Sequence, residues 1–390
     1  MIVRIFQGVG TIHYSTAMLF MLLLFSQQDL QGQSDSLASS LNFESDFRFR
    51  IEQDWNARKS DGSYRDDRSR LRYRFRFGFK YSKATIGSFV ARVRTGLPNK
   101  QQDPQLTLGD ANKEFSTLPI GIERIQYSRR IGSFALDLGK IEFPFYRNNE
   151  LFWSYNVFPE GGHIKFNLSR ATQPHVLDIR FAHLLMNAYG TSFSSDSYMQ
   201  GVQINSVGMS ESMNVSLALY LFRNIPNLPD GAHSFEMPYS IFHFAFRKQN
   251  VIFKDLIFEF DYYKNLEDYG DFSQIDQNLR DQKSSWVLAL SYGQSVKPKS
   301  WMIKATYAYI ERFSSLDYMS QNDWARWDYS SVGSPDGRLS NLEGIELAIS
   351  YRLNDAVLFT SKYYTVDQLV PLGMFQENGQ RWRLDLDLSF

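Results

Sequence analysis

The chain is constrained most by segments about ten residues long in which apolar and charged residues alternate strictly. In the closing segment, RWRLDLDLSF at 381–390, one face carries Trp382, Leu384, Leu386, Leu388 and Phe390, and the other carries Arg381, Arg383, Asp385, Asp387 and Ser389. A period of two indicates a β-strand with one apolar face and one hydrated face. Such a strand lies either on a soluble core or between lipid and an enclosed aqueous space.

The same pattern predicts strands along the whole chain after the N-terminal segment. They are 42–55, 70–81, 86–94, 122–130, 134–143, 162–168, 175–185, 199–208, 213–222, 240–248, 255–263, 285–293, 300–310, 341–352, 356–365 and 381–390. Connections of roughly 13 to 30 residues alternate with turns of roughly 3 to 6, which a Greek-key sandwich does not require. We therefore predict an all-β fold: a closed antiparallel up-and-down transmembrane β-barrel of about 16 strands, with short periplasmic turns and long outer loops.

Closure of such a barrel makes the first and last strands pair, because lipid offers no partner to a free backbone N–H or C=O. The first strand turns Glu44, Asp46, Arg48, Arg50, Glu52 and Asp54 toward the lumen. Antiparallel pairing then sets Arg381 and Arg383 beside Glu52 and Asp54, and Asp385 and Asp387 beside Arg48 and Arg50. The sequence thus predicts a closing seam of opposite charges.

Composition agrees with a membrane barrel and argues against nucleic acid as a partner. Lys plus Arg and Asp plus Glu both number 42 among 390 residues, so the net charge of zero gives no electrostatic reason to bind nucleic acid. Aromatic residues reach 16% while the mean hydropathy is −0.36, a pairing typical of a barrel with aromatic girdles and a wet interior. No change of composition divides the chain, so we expect one domain.

The N-terminal sequence resembles an export signal. Arg4 and His13 precede an apolar run at 16–25 that is too short to span a bilayer as a helix, and a polar stretch follows it. We predict a signal peptide at 1–32, a short periplasmic segment at 33–41 and the outer-membrane barrel at 42–390.

Arginines form a ladder on the hydrated faces of the first three strands, and these are the predicted pore-lining residues. They are Arg48, Arg50, Arg70, Arg72, Arg74, Arg76, Arg92 and Arg94. A guanidinium stays charged and offers a rigid fork of donors, so the ladder either biases the pore toward anions or forms a wall whose charge nearby carboxylates match. Both interpretations remain open at this point.

The segment GKIEFPFYRNNELFWSYNVFPEGG, at 139–162, is the most distinctive loop. It is dense in aromatic residues and contains Pro144 and Pro159, which break strand pairing. One interpretation folds it inward as a constriction loop, with Arg147, Glu150 and Glu160 as polar contacts. The other packs it on itself outside the lumen.

Little in the sequence points to chemistry. The chain has no cysteine, its histidines show no metal-binding spacing, and no glycine-rich phosphate loop lies between a strand and a helix. We therefore predict no catalytic residues, no metal, no cofactor and no enzyme activity.

Three segments resemble the porins of Bacteroidota-type outer membranes, which are related in shape to phosphate-selective porins and alginate-export barrels. They are SRLRYRFRFGFKY, LDLGKIEFPFYRNNELFWSYNVFPEGG and the terminal LDLDLSF. The resemblance implies a β-barrel pore for small polar solutes in a Gram-negative outer membrane, although the lysine clusters expected of a strict phosphate channel are missing. The terminal Phe390 resembles the assembly signal that the barrel-insertion machinery reads.

The leading functional hypothesis is a porin or passive channel for small polar solutes, which are anionic under the first interpretation of the arginine ladder. The barrel is expected in outer-membrane lipid as a homotrimer or a monomer. Two alternatives belong to other classes. One is a barrel hydrolase acting at the rim, which needs a Ser-His or Asp-His pair within hydrogen-bond reach. The other is a surface-binding or structural barrel with a blocked lumen.

Overall fold

The computed structural model describes residues 39–109, 117–169, 176–188, 190, 192, 194–209, 212–227, 235–324 and 340–390. The strands are β1 (Ser39–Trp55), β2 (Arg68–Lys83), β3 (Gly87–Thr95), β4 (Leu106–Thr107), β5 (Ile120–Ile131), β6 (Phe134–Lys140), β7 (Glu160–Asn167), β8 (Val176–Asn187), β9 (Ser197–Met209), β10 (Met213–Pro226), β11 (Glu236–Gln249), β12 (Leu256–Asn265), β13 (Ser284–Gly293), β14 (Ser300–Ile310), β15 (Leu342–Arg352), β16 (Val357–Gln368) and β17 (Asn378–Ser389). Within these ranges no helix is long and apolar enough to cross a membrane.

The sheet closes into a barrel. Sixteen long strands pair antiparallel with their neighbours along the chain, and β1 pairs with β17 to complete the ring. The additional strand β4 has two residues and pairs with β2. The predicted all-β fold, its closure and its number of strands are confirmed. The predicted signal peptide lies outside the described residues, and residues 39–41 of the predicted segment 33–41 belong to β1.

Connections alternate in length around the barrel. At one end, here called the turn end, they have 2 to 8 residues, and at the other, the loop end, they have 9 to 31. The predicted alternation is confirmed, but the difference between the longest turn, 8 residues, and the shortest loop, 9 residues, is smaller than predicted. The reason is that several strands continue past their predicted ends toward the loop end, as β10 does to Pro226 and β16 to Gln368.

The outer face of the barrel is apolar. Residues such as Ile204, Leu217 and Ile349 alternate outward along their strands and are about half exposed. Aromatic pairs lie on this face near both ends, for example Tyr292 with Trp301 toward the turn end and Trp286 with Tyr309 toward the loop end. Two aromatic girdles around an apolar band are the surface that a bilayer requires of a barrel.

The inner face has two unlike halves. From β8 to β12 it is largely apolar, and its lumen-facing residues include Leu184, Met199, Ala218, Tyr220 and Tyr263, all nearly fully buried. From β17 through β1 to β3 it carries the arginine ladder. A buried apolar wall inside a barrel needs a covering segment, and loops fold inward to provide one.

Candidate functional site

All eight ladder arginines point into the lumen, and each lies within 3.8 Å of a carboxylate. Their side chains are only 4% to 24% exposed to solvent, so most of the ladder is buried. Covered guanidinium groups need matched carboxylates because isolated buried charge is costly. This geometry fits the interpretation of the ladder as a charge-matched wall better than that of an open positive lining.

The register explains why some of these carboxylates come from outside β1 and β2. It places Arg50 directly opposite Arg72, an arrangement of like charges that destabilises a sheet. Asp385 of β17 lies 2.6 Å from Arg50 Nε, and Asp103 lies 2.7 Å from Arg72 Nη2. Asp103 belongs to the connection between β3 and β5, here called loop 2 (96–119). A loop residue thus completes the charge pattern of the wall.

Glu123 is the centre of the ladder and was missed by the sequence analysis. Its carboxylate lies 3.0 Å from Arg76, 2.6 Å from Arg92 and 3.8 Å from Arg94, and its side chain is 1% exposed. The pairing of β3 with β5 shifts register at this point, which marks a β-bulge. A bulge can turn two successive residues to the same face, here Glu123 and Arg124. The broken alternation of this strand was the available signal.

The closing seam has the register that the charges indicated. Arg48 is opposite Asp387, Arg50 opposite Asp385, Glu52 opposite Arg383 and Asp54 opposite Arg381. Three of these are ion pairs, with N–O distances of 2.5 to 2.6 Å. The fourth differs from expectation. Glu52 binds Arg70, while Arg383 turns to Asp323, which lies in the connection between β14 and β15, here called loop 7 (311–341).

The distinctive aromatic segment, here called loop 3 (141–159), leaves the wall through two facing glycines. Gly139 and Gly161 are paired across β6 and β7, with φ of 110° and 150°. A Cβ at Gly139 would meet the Ile125 carbonyl oxygen at 2.3 Å, and one at Gly161 the His183 carbonyl oxygen at 2.2 Å. Only glycine permits this backbone approach, and between these two positions the chain turns into the barrel.

Loop 3 covers the apolar wall. The Phe143 ring stacks on Trp153 with centroids 4.2 Å apart, and Phe152 stacks on Tyr263 of β12 at 4.6 Å. Trp153 is fully buried, although it belongs to a loop. Offset aromatic stacking adds to the burial of apolar area, so this loop is an internal core element.

Polar contacts fix the same loop in register with the wall. The Asn149 side chain donates to Asp261 Oδ2 at 2.9 Å. Gln203 accepts from the Tyr146 N–H at 2.7 Å and donates to the Tyr146 carbonyl at 3.0 Å, as a neighbouring strand would. Of the two interpretations of this segment, the structure has the one that folds inward.

Of the three residues predicted as polar contacts of loop 3, two lie in the loop and one lies on the barrel exterior. Arg147 lies within the loop, over the rings of Phe143 and Tyr155, and Glu150 accepts a bond from the Tyr155 N–H at 2.8 Å. Glu160 is not part of the constriction. It begins β7, faces outward opposite Leu185 and pairs with Lys140 on the exterior, because strand alternation from the lumen-facing Gly161 turns it away from the lumen.

Replacing Gly201 by alanine is expected to destabilise the packed loop. A Cβ there would lie 2.4 Å from Phe145 Cζ and 3.2 Å from Tyr220, where no space exists. Overpacking of this kind costs about 1–3 kcal/mol of unfolding free energy. Denaturant unfolding followed by tryptophan fluorescence measures the loss. Gly270→Ala, in an exposed loop, is the control, and an equal midpoint for both variants would contradict the packing described.

The described parts of loops 2 and 7 also fold inward and bond to loop 3, and Gln101 of loop 2 accepts from the Phe158 N–H at 2.9 Å. The Ser154 N–H donates to the Met319 carbonyl at 2.7 Å. Gln102 of loop 2 donates to the carbonyls of Asp317 and Ser320 at 2.8 and 2.6 Å. The three loops therefore interlock inside the barrel and connect its apolar wall to its arginine wall.

Asp323 joins loop 7 to the arginine wall. Its carboxylate is paired with Arg383 and lies 3.2 Å from Arg50, while its carbonyl accepts from Arg381 at 2.6 Å. Burial alone would raise the pKa of this carboxyl, but the charges of Arg383 and Arg50 outweigh burial and hold the pKa well below its usual range. Asp323 thus stays ionised at neutral pH. No local pattern in the sequence marks it.

In the part of the chain that the structure describes, two cavities lie beside the interlocked loops. The first, here called the inner chamber, is a cavity of ≈ 230 Å³ between the loop 3 residues Glu150 and Tyr155 and the turn-end half of β12 to β16. Its wall carries charges of both signs, such as Glu259 and Lys304, which are 2.5 Å apart. The second, here called the outer vestibule, is a cavity of ≈ 360 Å³ at the loop end.

Two histidines lie beside aspartates, as the hydrolase alternative required. His163 Nδ1 is 2.9 Å from Asp137, and His243 lies between Asp261 at 2.9 Å and the Tyr220 hydroxyl at 3.1 Å. His243 is fully buried, and among the described residues neither imidazole contacts a serine or threonine hydroxyl. The part of the chain that the structure describes also holds no group of three or more His, Asp or Glu arranged for a metal ion.

The sequence matches no protein-family model and no curated protein. The fold, in contrast, is similar to solved porins. OmpF of Salmonella typhi, in complex with daunomycin, aligns with a TM-score of 0.53 and 10% identity over 90% of this chain and 97% of that one. OprB of Pseudomonas putida gives 0.54 and 10% over 90% and 94%. A triple mutant of the Rhodopseudomonas blastica porin gives 0.51 and 10% over 90% and 100%.

Proposed function

We propose that this protein is a porin of a Gram-negative outer membrane, a passive channel for small polar solutes. The observation that carries the proposal is a closed sixteen-strand barrel whose outside is an apolar band between aromatic girdles and whose inside carries a wall of charged residues. A barrel of this size is wide enough for an aqueous lumen, whereas about eight strands would be filled by side chains. The similarity of its fold to porins supports the same assignment. The motif resemblance leads us to place it with the Bacteroidota-type porins.

Passage is proposed to run through the inner chamber, beside the tip of loop 3. The inward loops narrow the lumen, so only small solutes pass. We propose a structural role for the arginine ladder, because its side chains are covered and matched by carboxylates such as Glu123. On this account the anion preference considered from the sequence is weak, and no catalytic step occurs.

A barrel with a blocked lumen is the second candidate, and one observation favours it. Bonds such as Ser154 to Met319 and Gln102 to Ser320 join the three loops across the interior. If these bonds leave no path, the barrel binds a partner at its loop end and conducts nothing.

Swelling of proteoliposomes separates the two candidates. Vesicles containing the purified protein are placed in isotonic solutions of polar solutes of increasing size, and the rate of swelling is followed by light scattering. The porin proposal expects swelling that falls steeply with solute size. Rates equal to those of protein-free vesicles for every solute would favour the blocked barrel.

Deleting Phe390 is expected to lower insertion into the outer membrane. The backbone of Phe390 donates to the Ser45 carbonyl at 2.9 Å, while its ring is 75% exposed at the turn end and so is available to the insertion machinery. We expect less folded protein in isolated outer membranes and unchanged conductance for each molecule that does insert. A Phe390→Tyr variant, which keeps an aromatic end, should insert normally. Equal insertion of the deletion and the full chain would remove the proposed signal.

A further inference from the structure

The outer vestibule is built by segments distant in sequence. Loop 2 supplies Asn99 and Gln101, loop 7 supplies Tyr318 and Asn322, and the loop end of β8 supplies Met186 and Asn187. Its volume of ≈ 360 Å³ is within the range of small-molecule sites. Because it lies at the loop end, a solute arriving from that side meets it before the interlocked loops.

Carboxamides dominate the polar lining. Asn99, Asn187 and Asn322 have no side-chain hydrogen bond within the described part of the chain, so their donors and acceptors remain for a solute. The charged lining residues, Lys100 and Asp103, have contacts of their own, and Asp103 is held by Arg72 at 2.7 Å. The site therefore offers neutral groups that both donate and accept.

The apolar part of the lining complements these amides. Tyr318, Met186 and Met319 line the same cavity and give it a ring and two thioethers in addition to the carboxamides. A sugar has apolar C–H faces and hydroxyl groups that donate and accept, so it matches both parts of this surface. An inorganic anion matches neither, because it needs several donors and a positive field.

We propose that the outer vestibule binds a neutral polyhydroxylated solute of the size of a mono- or disaccharide ahead of its passage. This inference rests on the proposed channel function and names the substrate class of that channel. Binding at the entrance raises the local concentration of solute above the constriction without any change of conformation.

Blocking of ion current by maltose tests the proposal. Maltose is added on the loop-end side of single channels in a planar bilayer, and interruptions of the current are counted against concentration. We expect a saturating block, and an apparent affinity about fivefold or more weaker in the Asn187→Ala, Asn322→Ala double variant, which loses two hydrogen-bonding groups. Asn278 is an exposed carboxamide of the loop between β12 and β13, and Asn278→Ala is the matched control. Maltose should block this variant with the same apparent affinity as the unmodified protein.

The outcomes separate this inference from the channel function. Ion conductance with no block by maltose, or a block that the double variant leaves unchanged, would overturn the vestibule site and leave the channel intact. An oligomeric ethylene glycol of the same size, which accepts but hardly donates, should block far less. If maltose and the ethylene glycol oligomer block the current equally, the block depends on solute size and not on binding, which would overturn the vestibule site. Absence of ion conductance would instead overturn the proposed function.

Discussion

Replacing Asp323 by asparagine is expected to free loop 7 from the arginine wall and to raise single-channel conductance. The carboxylate joins the loop to Arg383 and Arg50. Its loss takes one counter-charge from each of these largely buried guanidinium groups and leaves both to share Asp385, at 3.5 Å from Arg383 and 2.6 Å from Arg50. Breaking a buried ion pair costs about 3–5 kcal/mol, and partial exposure of Asp323 reduces this to about 2 kcal/mol, or roughly 30-fold in the docking equilibrium. We expect larger and noisier conductance steps in planar bilayers.

A matched control is Asp61→Asn, an exposed loop aspartate whose bonds go to Ser63. It should conduct as the unmodified protein does. Identical conductance in Asp323→Asn and Asp61→Asn, at equal amounts of folded protein, would show that loop 7 does not narrow the lumen.

The pH dependence of this contact has a defined sign. The pKa of Asp323 is lowered in the folded protein, so its contribution is fully present above the unfolded pKa near 4 and is lost only as the pH falls through the lower folded value. Protonation of Asp323 should therefore not alter the conductance between pH 7 and about pH 4. A rise in conductance between pH 6 and 5 that Asp323→Asn abolishes would contradict this assignment.

Replacing Glu123 by glutamine is expected to destabilise the barrel strongly. The substitution keeps the volume but leaves Arg76, Arg92 and Arg94 around a neutral group that is 1% exposed. Removing one partner of a buried ionic cluster costs about 3–5 kcal/mol of unfolding free energy. Urea unfolding of the folded protein in detergent, followed by tryptophan fluorescence, measures the change.

Glu142→Gln, at the start of loop 3, provides the comparison. Among the described residues its carboxylate pairs with Arg124, and its side chain is 60% exposed, so a loss below about 1 kcal/mol is expected. If the two variants unfold at the same urea concentration, the ladder is not held by Glu123 and its arginines are available to passing solutes.

The strands could be predicted from the sequence because strand alternation is a local property. In RWRLDLDLSF the polarity of each residue indicates whether it faces lipid or the lumen. The charges of β1 and β17 then select one register, since a slip of one residue would turn every charge toward lipid. Closure of the barrel could be predicted as well, because the first and last strands would otherwise leave their backbone groups unpaired in lipid.

The lumen could be predicted only in part because its contacts are long-range. Nothing near Asp323 or Asp103 shows that these loop carboxylates reach Arg383 and Arg72 across the barrel. Glu123 was hidden by a bulge, which breaks the alternation from which faces are assigned. Glu160 was assigned to the lumen because it closes an aromatic segment, yet β7 begins there and its register turns the side chain outward.

Single-channel recording in a planar lipid bilayer is the most direct test of the porin assignment. The purified, folded protein is added at low concentration, and current is recorded at a fixed voltage in a simple salt. We predict discrete, reproducible conductance steps that grow when Asp323→Asn replaces the unmodified chain. Insertion into the bilayer without any conductance step, for either protein, would contradict the central claim that this barrel is a channel.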